Sequence, residues 1–372
     1  DCGLASTPSM FMATVLPGLE YDGSVMITAS HLPFNRNGLK FFTKEGGLEH
    51  EDIHEIIKDA VEEVYTECVP AENRQAVEIC PLLEHYSAHL RNVICQSLPD
   101  GGDKPLQGLH IVVDAGNGAG GFFASRVLQP LGADTTGSVF LDPDGHFPNH
   151  IPNPENPQAM EAIRKATVDS KADLGVIFDT DVDRAAAVFD DGEEINRNAI
   201  IALMGVIVAR EHPGTTIVTD SVTSDELAAF LEQELGLKHH RFRRGYRNVI
   251  NESIRLNNEG IDSQLAIETS GHGALKENYF LDDGAYMSVK IICELARCRK
   301  QGKSIAASIA KLGHPAEAAE CRFKINLEEF KEYGAQVLKQ FDEFVQNEEG
   351  FAKVPVNHEG IRVNVDREGV QG

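Results

Sequence analysis

The chain has 372 residues, too many for one average domain, and 42% of them are apolar, enough for several cores. Its formal net charge of −24 argues against nucleic acid or an anionic membrane as the main partner. Phosphorylated substrates stay open, because a bound metal or a local arginine cluster can override the global sign.

The seven cysteines show no paired C-x-x-C spacing, and an odd number leaves one over in a disulfide framework. Reduced thiols in an intracellular, cytoplasmic setting are therefore expected. No apolar run is long enough to span a membrane. The chain opens on Asp1 rather than Met and ends on Val370-Gln371-Gly372 without a natural stop, which reads as a fragment. No signal or transit peptide is visible, and a plastid or other organelle stays open. The sequence leaves monomer and homodimer equally open.

In chain order, residues 1–104 read as a first α/β unit, judged by alternating strand and helix patterns. Pro8 to Val15 follows a Thr-Pro helix start, and Ser24-Val25-Met26-Ile27 has strand character. Helical spacing runs from Ile53 to Tyr65 and from Pro81 to Gln96. Leu98 to Pro105 is a linker by composition. A second α/β unit, 105–211, opens with the buried-type strand Leu109–Val113, a glycine-rich turn and a helix through Leu128. Leu174–Phe178 and Ala185–Phe189 are further strands, and Asn198–Arg210 a helix. A third α/β unit, 212–312, repeats the plan: strand Thr216–Thr219, helix Ser224–Glu234, strand Gln264–Ile267, and a long helix from Asp283 to Lys300. Residues 313–372 read as a partial α+β unit, with alternating strands at Ala319–Ile325 and Gly360–Val365 around a helix from Leu327 to Gln346.

Five stretches can carry chemistry. In Thr28-Ala29-Ser30-His31-Leu32-Pro33-Phe34-Asn35-Arg36-Asn37-Gly38-Leu39-Lys40, a serine sits on a loop at the end of a strand. His31 is beside it and Lys40 is close enough to fold back. Together they can supply a nucleophile and two proton-transfer groups, or merely a polar turn. Asp179-Thr180-Asp181-Val182-Asp183-Arg184 crowds three carboxylates onto one loop between two apolar strands. Such oxygen ligands select Mg²⁺, Mn²⁺ or Ca²⁺. An EF-hand would need glycine where Arg184 stands and helices on either side, and the plain alternative is a solvated acidic turn. Arg184 can hold a phosphoryl oxygen or simply neutralise the acids.

Glu268-Thr269-Ser270-Gly271-His272-Gly273 follows a strand, with Glu268 and Ser270 on one side of an extended segment. That pair can accept and donate hydrogen bonds to vicinal hydroxyls, as a sugar requires. His272 is a proton donor or a turn residue. Arg243-Arg244-Gly245-Tyr246-Arg247 is a concentrated basic patch that suits an anion, with an edge-strand cluster as the default. Gly116-Asn117-Gly118-Ala119-Gly120-Gly121 satisfies G-x-G-x-x-G, with Asp134 near the distance of a ribose-binding acid. A tight strand-to-helix turn is also a sufficient cause.

Taken together and in this order, these segments resemble the α-D-phosphohexomutase family. Thr28 to Lys40 is similar, with no gap, to its phosphoserine loop, T-A-S-H-N-P-x-x-Y-N-G-x-K. Asp179–Arg184 resembles its metal loop, D-G-D-x-D-R, and Glu268–His272 its sugar-discriminating loop, E-x-S-G-H. Asp114–Gly120 is similar to the segment opening the family's second domain.

The resemblance implies a heart-shaped molecule of four α/β domains around a central cleft. It implies that Ser30 carries a phosphoryl group and that Mg²⁺ is held by Asp179, Asp181, Asp183 and a phosphoserine oxygen. It implies exchange of hexose 1-phosphate and hexose 6-phosphate through a hexose 1,6-bisphosphate, with a sugar phosphate as the partner. His31 and Lys40 would assist proton transfer and phosphate binding, and Glu268 and Ser270 would hold the sugar 3- and 4-hydroxyls. His272 would lie near the transferring group, and Arg247 falls in a loop similar to a third-domain contact loop.

There are departures. Leu32 replaces the family's Asn and Arg36 its Tyr. Thr180 replaces a Gly, which implies a tighter backbone at the metal loop. The N-terminal phosphate-contacting segment and the C-terminal phosphate-binding loop are absent, so this fragment alone is expected to be poorly active. Leu32 and Arg36 motivate a second reading, a catalytically silent phosphosugar-binding homologue. A third is a metal-dependent phosphatase, in which water intercepts the phosphoserine. Glu-x-Ser is similar to the branch acting on glucose and mannose phosphates, between which the sequence does not choose.

Overall fold

Local chemistry sets the first helix. Ser6 and Ser9 cap each other's main-chain N–H groups at the start of α1, Thr7–Val15, and Pro8 fits its first turn. The structure is a computed structural model and describes residues 1–30, 32–62, 76–315, 317, 319, 321, 323–367 and 370–371. Strands β1 (Ser24–Ile27), β2 (Leu39–Thr43) and β3 (Gly46–Gly47) form an antiparallel sheet that sets Met26 opposite Lys40. Helix α2 (His50–Val61) begins earlier than its apolar spacing suggested, and the expected extension to Tyr65 lies outside the described residues. Helix α3 spans Leu82–Ser97.

Next come β4 (Ile111–Asp114), a π-helical turn at Phe123–Leu128, α4 (Pro157–Ser170), β5 (Leu174–Phe178), β6 (Ala185–Phe189), β7 (Glu194–Ile195) and α5 (Asn198–Glu211). The four strands lie in the order β4-β5-β6-β7, with β4 and β5 parallel and the later pairs antiparallel. The third unit holds β8 (Thr216–Thr219), α6 (Asp225–Ala229) with a π-helical continuation, β9 (Lys238–Arg241), α7 (Tyr246–Asn258), β10 (Ser263–Ile267), β11 (Gly273–Leu275), β12 (Leu281–Asp282) and α8 (Gly284–Lys300). Its mixed sheet runs β12-β11-β10-β8-β9. Helix α9 (Phe330–Asn347) and the antiparallel strands β13 (Phe351–Lys353), β14 (Val363–Arg367) and β15 (Val370–Gln371) close the chain. The fold is a multidomain α/β one with a smaller α+β unit at its end.

Strands β4, β5, β6, β8 and β10 are buried on both faces, so they read as nearly continuous apolar runs. Successive side chains still go to opposite sides. Ile111, Val113, Leu174, Val176, Phe178, Ala187 and Phe189 enter the main core, while Val112, Ile177, Ala186 and Val188 meet Met160 and Ile163 of α4. In the next sheet Ile217, Leu265 and Ile267 join the same main core, and Val218 and Ala266 pack on α7. One apolar mass therefore backs both sheets and holds the loops at their ends in register. Among the described residues no helix is long and apolar enough to cross a membrane.

One expected strand is corrected. None of the described residues between Ala319 and Ile325 pairs into a sheet; the strands of the last unit are β13, β14 and β15. Alternation there lacks a partner to bury its apolar face, and Phe323 stays 88% exposed.

Candidate active site

Strands β5 and β6 are an antiparallel pair, and the loop joining them is Asp179–Arg184. Val182 in that loop takes φ +69°, a left-handed conformation that costs a β-branched residue roughly 1–3 kcal/mol. Three other segments hold it there. The Val182 carbonyl accepts the Gly284 N–H at 3.0 Å, the Asp181 carbonyl accepts that of Thr7 at 2.8 Å, and the Thr180 carbonyl that of Ala119 at 2.8 Å. The tight backbone expected at Thr180 thus lies two residues later, since Thr180 has no positive φ.

These contacts also explain the glycine run. A Cβ on Gly118 would come within 2.5 Å of the Thr180 carbonyl oxygen, so glycine is what lets the two loops touch. Asp134, which a dinucleotide site would need, accepts the Thr136 N–H within its own turn at 2.9 Å. The G-x-G-x-x-G match is structural.

The three aspartates are almost fully buried, and a carboxylate oxygen from each lies within 4.8 Å of the others. Asp181 Oδ2 accepts the hydroxyls of Thr7 at 2.5 Å and Thr28 at 3.1 Å. Asp183 Oδ2 meets Lys40 Nζ at 2.7 Å, and the same ammonium is 3.4 Å from Asp181 Oδ2. Asp179 accepts from Arg184 Nε at 3.1 Å and from Ser30 Oγ at 3.4 Å. Ser30 itself has φ +50°, with its N–H on Thr28 Oγ1 at 3.0 Å. The hairpin delivers the lysine: β2 turns back along β1, and Lys40 reaches over the acids.

Burial and the charges of Asp183 and Asp181 push Asp179 well above the usual carboxylate range. For Asp183, burial pushes upward, but Lys40 and then His272 hold it well below that range. Burial likewise works against the Lys40 ammonium, and Asp183 and Asp181 more than offset it, raising its pKa. Three acids face two strong cations, Lys40 and Arg184. Among the described residues, Asp181 Oδ1 and Asp183 Oδ1 are buried without a hydrogen-bond partner. Orphaned, anionic, oxygen-only and beside a hydroxyl, this donor set fits a hard divalent cation.

Arg184 is buried and directs its guanidinium to Asp179, to Asn153 Oδ1 at 3.1 Å and toward Glu155 at 3.9 Å. These contacts are those of a counter-charge to the acids. An antiparallel bridge joins Arg184 to His272, and the Ala185 N–H donates to the Gly271 carbonyl at 3.2 Å, so the acidic loop and the Glu268–Gly273 loop are stitched together. Glu268 Oε1 accepts the Gly245 N–H at 2.5 Å, and Ser270 Oγ lies 3.4 Å from Oε2. Burial, against the opposing pull of Gly245, raises Glu268 from 4.5 to about 7. His272 bonds Asp282 through Nδ1 and stacks on Tyr246 with ring centroids 5.0 Å apart. Burial would lower its pKa, but Asp282 outweighs this and lifts it to about 9.

Arg247 is not on an edge strand. It lies in the first turn of α7 and donates to the Gly47 carbonyl at 3.0 Å and to Glu49. It shares with Lys40, Tyr246 and Asp282 the lining of a cavity of about 240 Å³. A second cavity of about 250 Å³ is lined by Ser30, Leu32, Arg36, Asn117, Thr180 and Asp181, so the two loop departures face open space beside the acids. His31 lies outside the described residues.

Thr7, Thr28, Asn153, Tyr246 and Asp282 were not singled out by sequence reasoning. Thr7 was hidden by its reading as a helix start. Asp282 had a signal in the Asp282-Asp283 doublet after a short apolar run.

Three profiles of one family match the chain: "Phosphoglucomutase/phosphomannomutase, alpha/beta/alpha domain I" over residues 1–67, domain II over 84–192 and domain III over 196–313. The phosphomannomutase/phosphoglucomutase of Pseudomonas putida is 29% identical over 83% of this chain and 62% of its own length. A phosphoglucosamine mutase of Bifidobacterium animalis is 30% identical over 84% of this chain and 66% of its own length. This chain thus spans under two thirds of these relatives. The crystal structure of a phosphoglucomutase/phosphomannomutase family protein from Burkholderia thailandensis superposes with a TM-score of 0.76, at 26% identity, over 98% of this chain and 73% of that one. The phosphoglucomutase pp63/parafusin of Paramecium shares the fold at 17% identity, with a TM-score of 0.67 over 98% of this chain and 71% of its own.

Proposed function

This chain belongs to the phosphoglucomutase/phosphomannomutase family, and from that premise we propose that it interconverts a hexose 1-phosphate and a hexose 6-phosphate through a phosphoserine at Ser30. The observation that carries the reading is the approach of Ser30 Oγ to 3.4 Å from Asp179 Oδ2, beside two orphaned acid oxygens. A polar turn does not bury three carboxylates around its hydroxyl.

Asp179, Asp181, Asp183 and an oxygen on Ser30 would hold Mg²⁺, which when bound supplies the charge that makes the phosphorus electrophilic. Ser30, once esterified, gives its phosphoryl group to the free hydroxyl of a sugar monophosphate, and the hydroxyl's proton passes to Ser30 Oγ. The resulting 1,6-bisphosphate turns over and returns its other phosphoryl group to Ser30. Glu268 and Ser270 hold the sugar hydroxyls, His272 faces the transferring group, and Lys40 and Arg247 receive phosphate oxygens. Arg184 offsets part of the negative charge that the acids and the phosphate bring together. His31 assists proton transfer. We take 1–104, 105–211, 212–312 and 313–372 as the four units around this site.

The test is phosphate on Ser30, read by intact mass and peptide mapping after mild purification. It is paired with assays on glucose 1-phosphate, mannose 1-phosphate and glucosamine 1-phosphate. The reading expects Ser30→Ala to abolish isomer formation. Undiminished isomer formation in that variant would end it.

A further inference from the structure

Asp282 is a buried carboxylate that the proposed mechanism does not use. Burying an ionised acid is costly unless its partners offset the lost hydration. Its partners are few and local. One oxygen accepts the Gly273 N–H at 3.0 Å, and the other faces His272 Nδ1. Both contacts fall on the loop that carries Glu268 and Ser270.

The acid is also held from behind. Its neighbour Asp283 caps α8 through the Tyr286 N–H at 2.9 Å and donates its own N–H to the Gly273 carbonyl at 3.1 Å. Asp283 further accepts the Tyr86 hydroxyl at 2.6 and 2.7 Å and Asn278 Nδ2 at 3.1 Å. Cross-strand register sets Asp282 opposite Ala274. The carboxylate therefore sits at a rigid strand-to-helix junction and has little freedom to leave His272.

For His272 the consequence is geometric. Its main-chain carbonyl accepts the Glu268 N–H at 2.9 Å, Tyr246 covers one ring face, and Asp282 takes the Nδ1 proton. An ionised carboxylate can only accept, so Nδ1 keeps its proton in both the imidazolium and the neutral ring, and Nε2 is the nitrogen that gains or loses one. We propose that Asp282 is a positioning residue, which fixes the ring and tautomer of His272 so that Nε2 is the nitrogen offered to the transferring group. The inference rests on the mutase reading for its purpose and stands apart from it in its structure.

An asparagine at 282 keeps the shape but offers one acceptor oxygen for two donors. If the Gly273 N–H takes it, the amide NH₂ faces the ring and drives the proton to Nε2. The wrong tautomer is then presented, which in a comparable acid–imidazole pair costs about 10⁴ in kcat. The experiment is ¹⁵N-imidazole NMR on the full chain, wild type and Asp282→Asn, with turnover of glucose 1-phosphate measured in parallel.

The expected result is a protonated Nδ1 with a strongly downfield proton in the wild type, lost in D282N. Turnover in D282N should fall by roughly 10²–10⁴ with KM little changed. In a His272→Ala background, D282N should add nothing. A wild-type His272 without an Nδ1 proton overturns the inference without any variant. So does a D282N protein that keeps the wild-type tautomer, or that costs as much with His272 removed. A wild type that shows the Nδ1 proton but never turns over sugar phosphate would sink the mutase reading and leave the positioning role standing.

Discussion

Replacing Glu268 by glutamine should change how stability depends on pH, and the size comes from the burial of this acid. Glu268 is 3% exposed, and burial lifts its pKa from 4.5 to about 7 despite the Gly245 N–H. A carboxyl whose folded-state pKa is raised favours the folded chain fully below about pH 4.5. That contribution is lost as pH rises through about 7. Each pH unit across this window removes about 1.4 kcal/mol, so roughly 3 kcal/mol goes between pH 4.5 and 8. Glutamine keeps the acceptor for Gly245 and has no charge to bury. Asp179, Asp220, Asp282 and Asp283 also have raised pKa values, but they are common to both proteins and cancel in the difference. Urea unfolding at about pH 4.5 and about pH 8 should therefore show E268Q gaining roughly 3 kcal/mol on the wild type at the higher pH. The same substitution should weaken binding of the sugar phosphate, because the lost carboxylate is the group assigned to its hydroxyls. A stability difference that is flat with pH would mean that Glu268 titrates as an ordinary acid, and the argument from its burial would fail.

Thr7→Val should keep shape and remove the 2.5 Å bond to Asp181. A lost hydrogen bond to a buried charge costs about 1.5–3 kcal/mol, so urea unfolding should show the variant less stable by that amount, and unchanged stability would count against a tightly held Asp181. Lys40→Met takes away the ammonium that meets Asp183 at 2.7 Å and Asp181 at 3.4 Å. The metal-free variant should melt earlier than the wild type, and millimolar Mg²⁺ should recover more of the melting temperature in the variant, since it replaces the missing charge. Equal Mg²⁺ responses would argue that lysine and cation do not share the site.

The features legible in the sequence are those that a local pattern controls alone. Leu174–Phe178, Ala185–Phe189 and Thr216–Thr219 were located to the residue, because strands buried on both faces are apolar throughout and are bounded by polar loops. Ser30, Lys40 and the three aspartates were visible as candidates through their residue types and order. Strand β9, Lys238–Arg241, escaped notice because its side chains stay half exposed and its four residues are basic. Strand β2 was hidden by the loop motif that runs into it. Thr7 and Asp282 owe their places to partners at sequence separations of 174 and 10 residues, and neither distance is written in a local pattern. The conformation of Val182 at φ +69° is likewise set by Thr7, Ala119 and Gly284 closing on the loop, where intrinsic preference would have placed a glycine.

Incubating the chain with Mg²⁺ and glucose 1,6-bisphosphate, then mapping phosphate by peptide mass, tests the site most directly. The account predicts phosphate on Ser30 in the wild type, and its loss when Asp179, Asp181 and Asp183 are changed to asparagine. A phosphate that settles on another residue, or a Ser30 that is esterified equally well without the three acids, would contradict it.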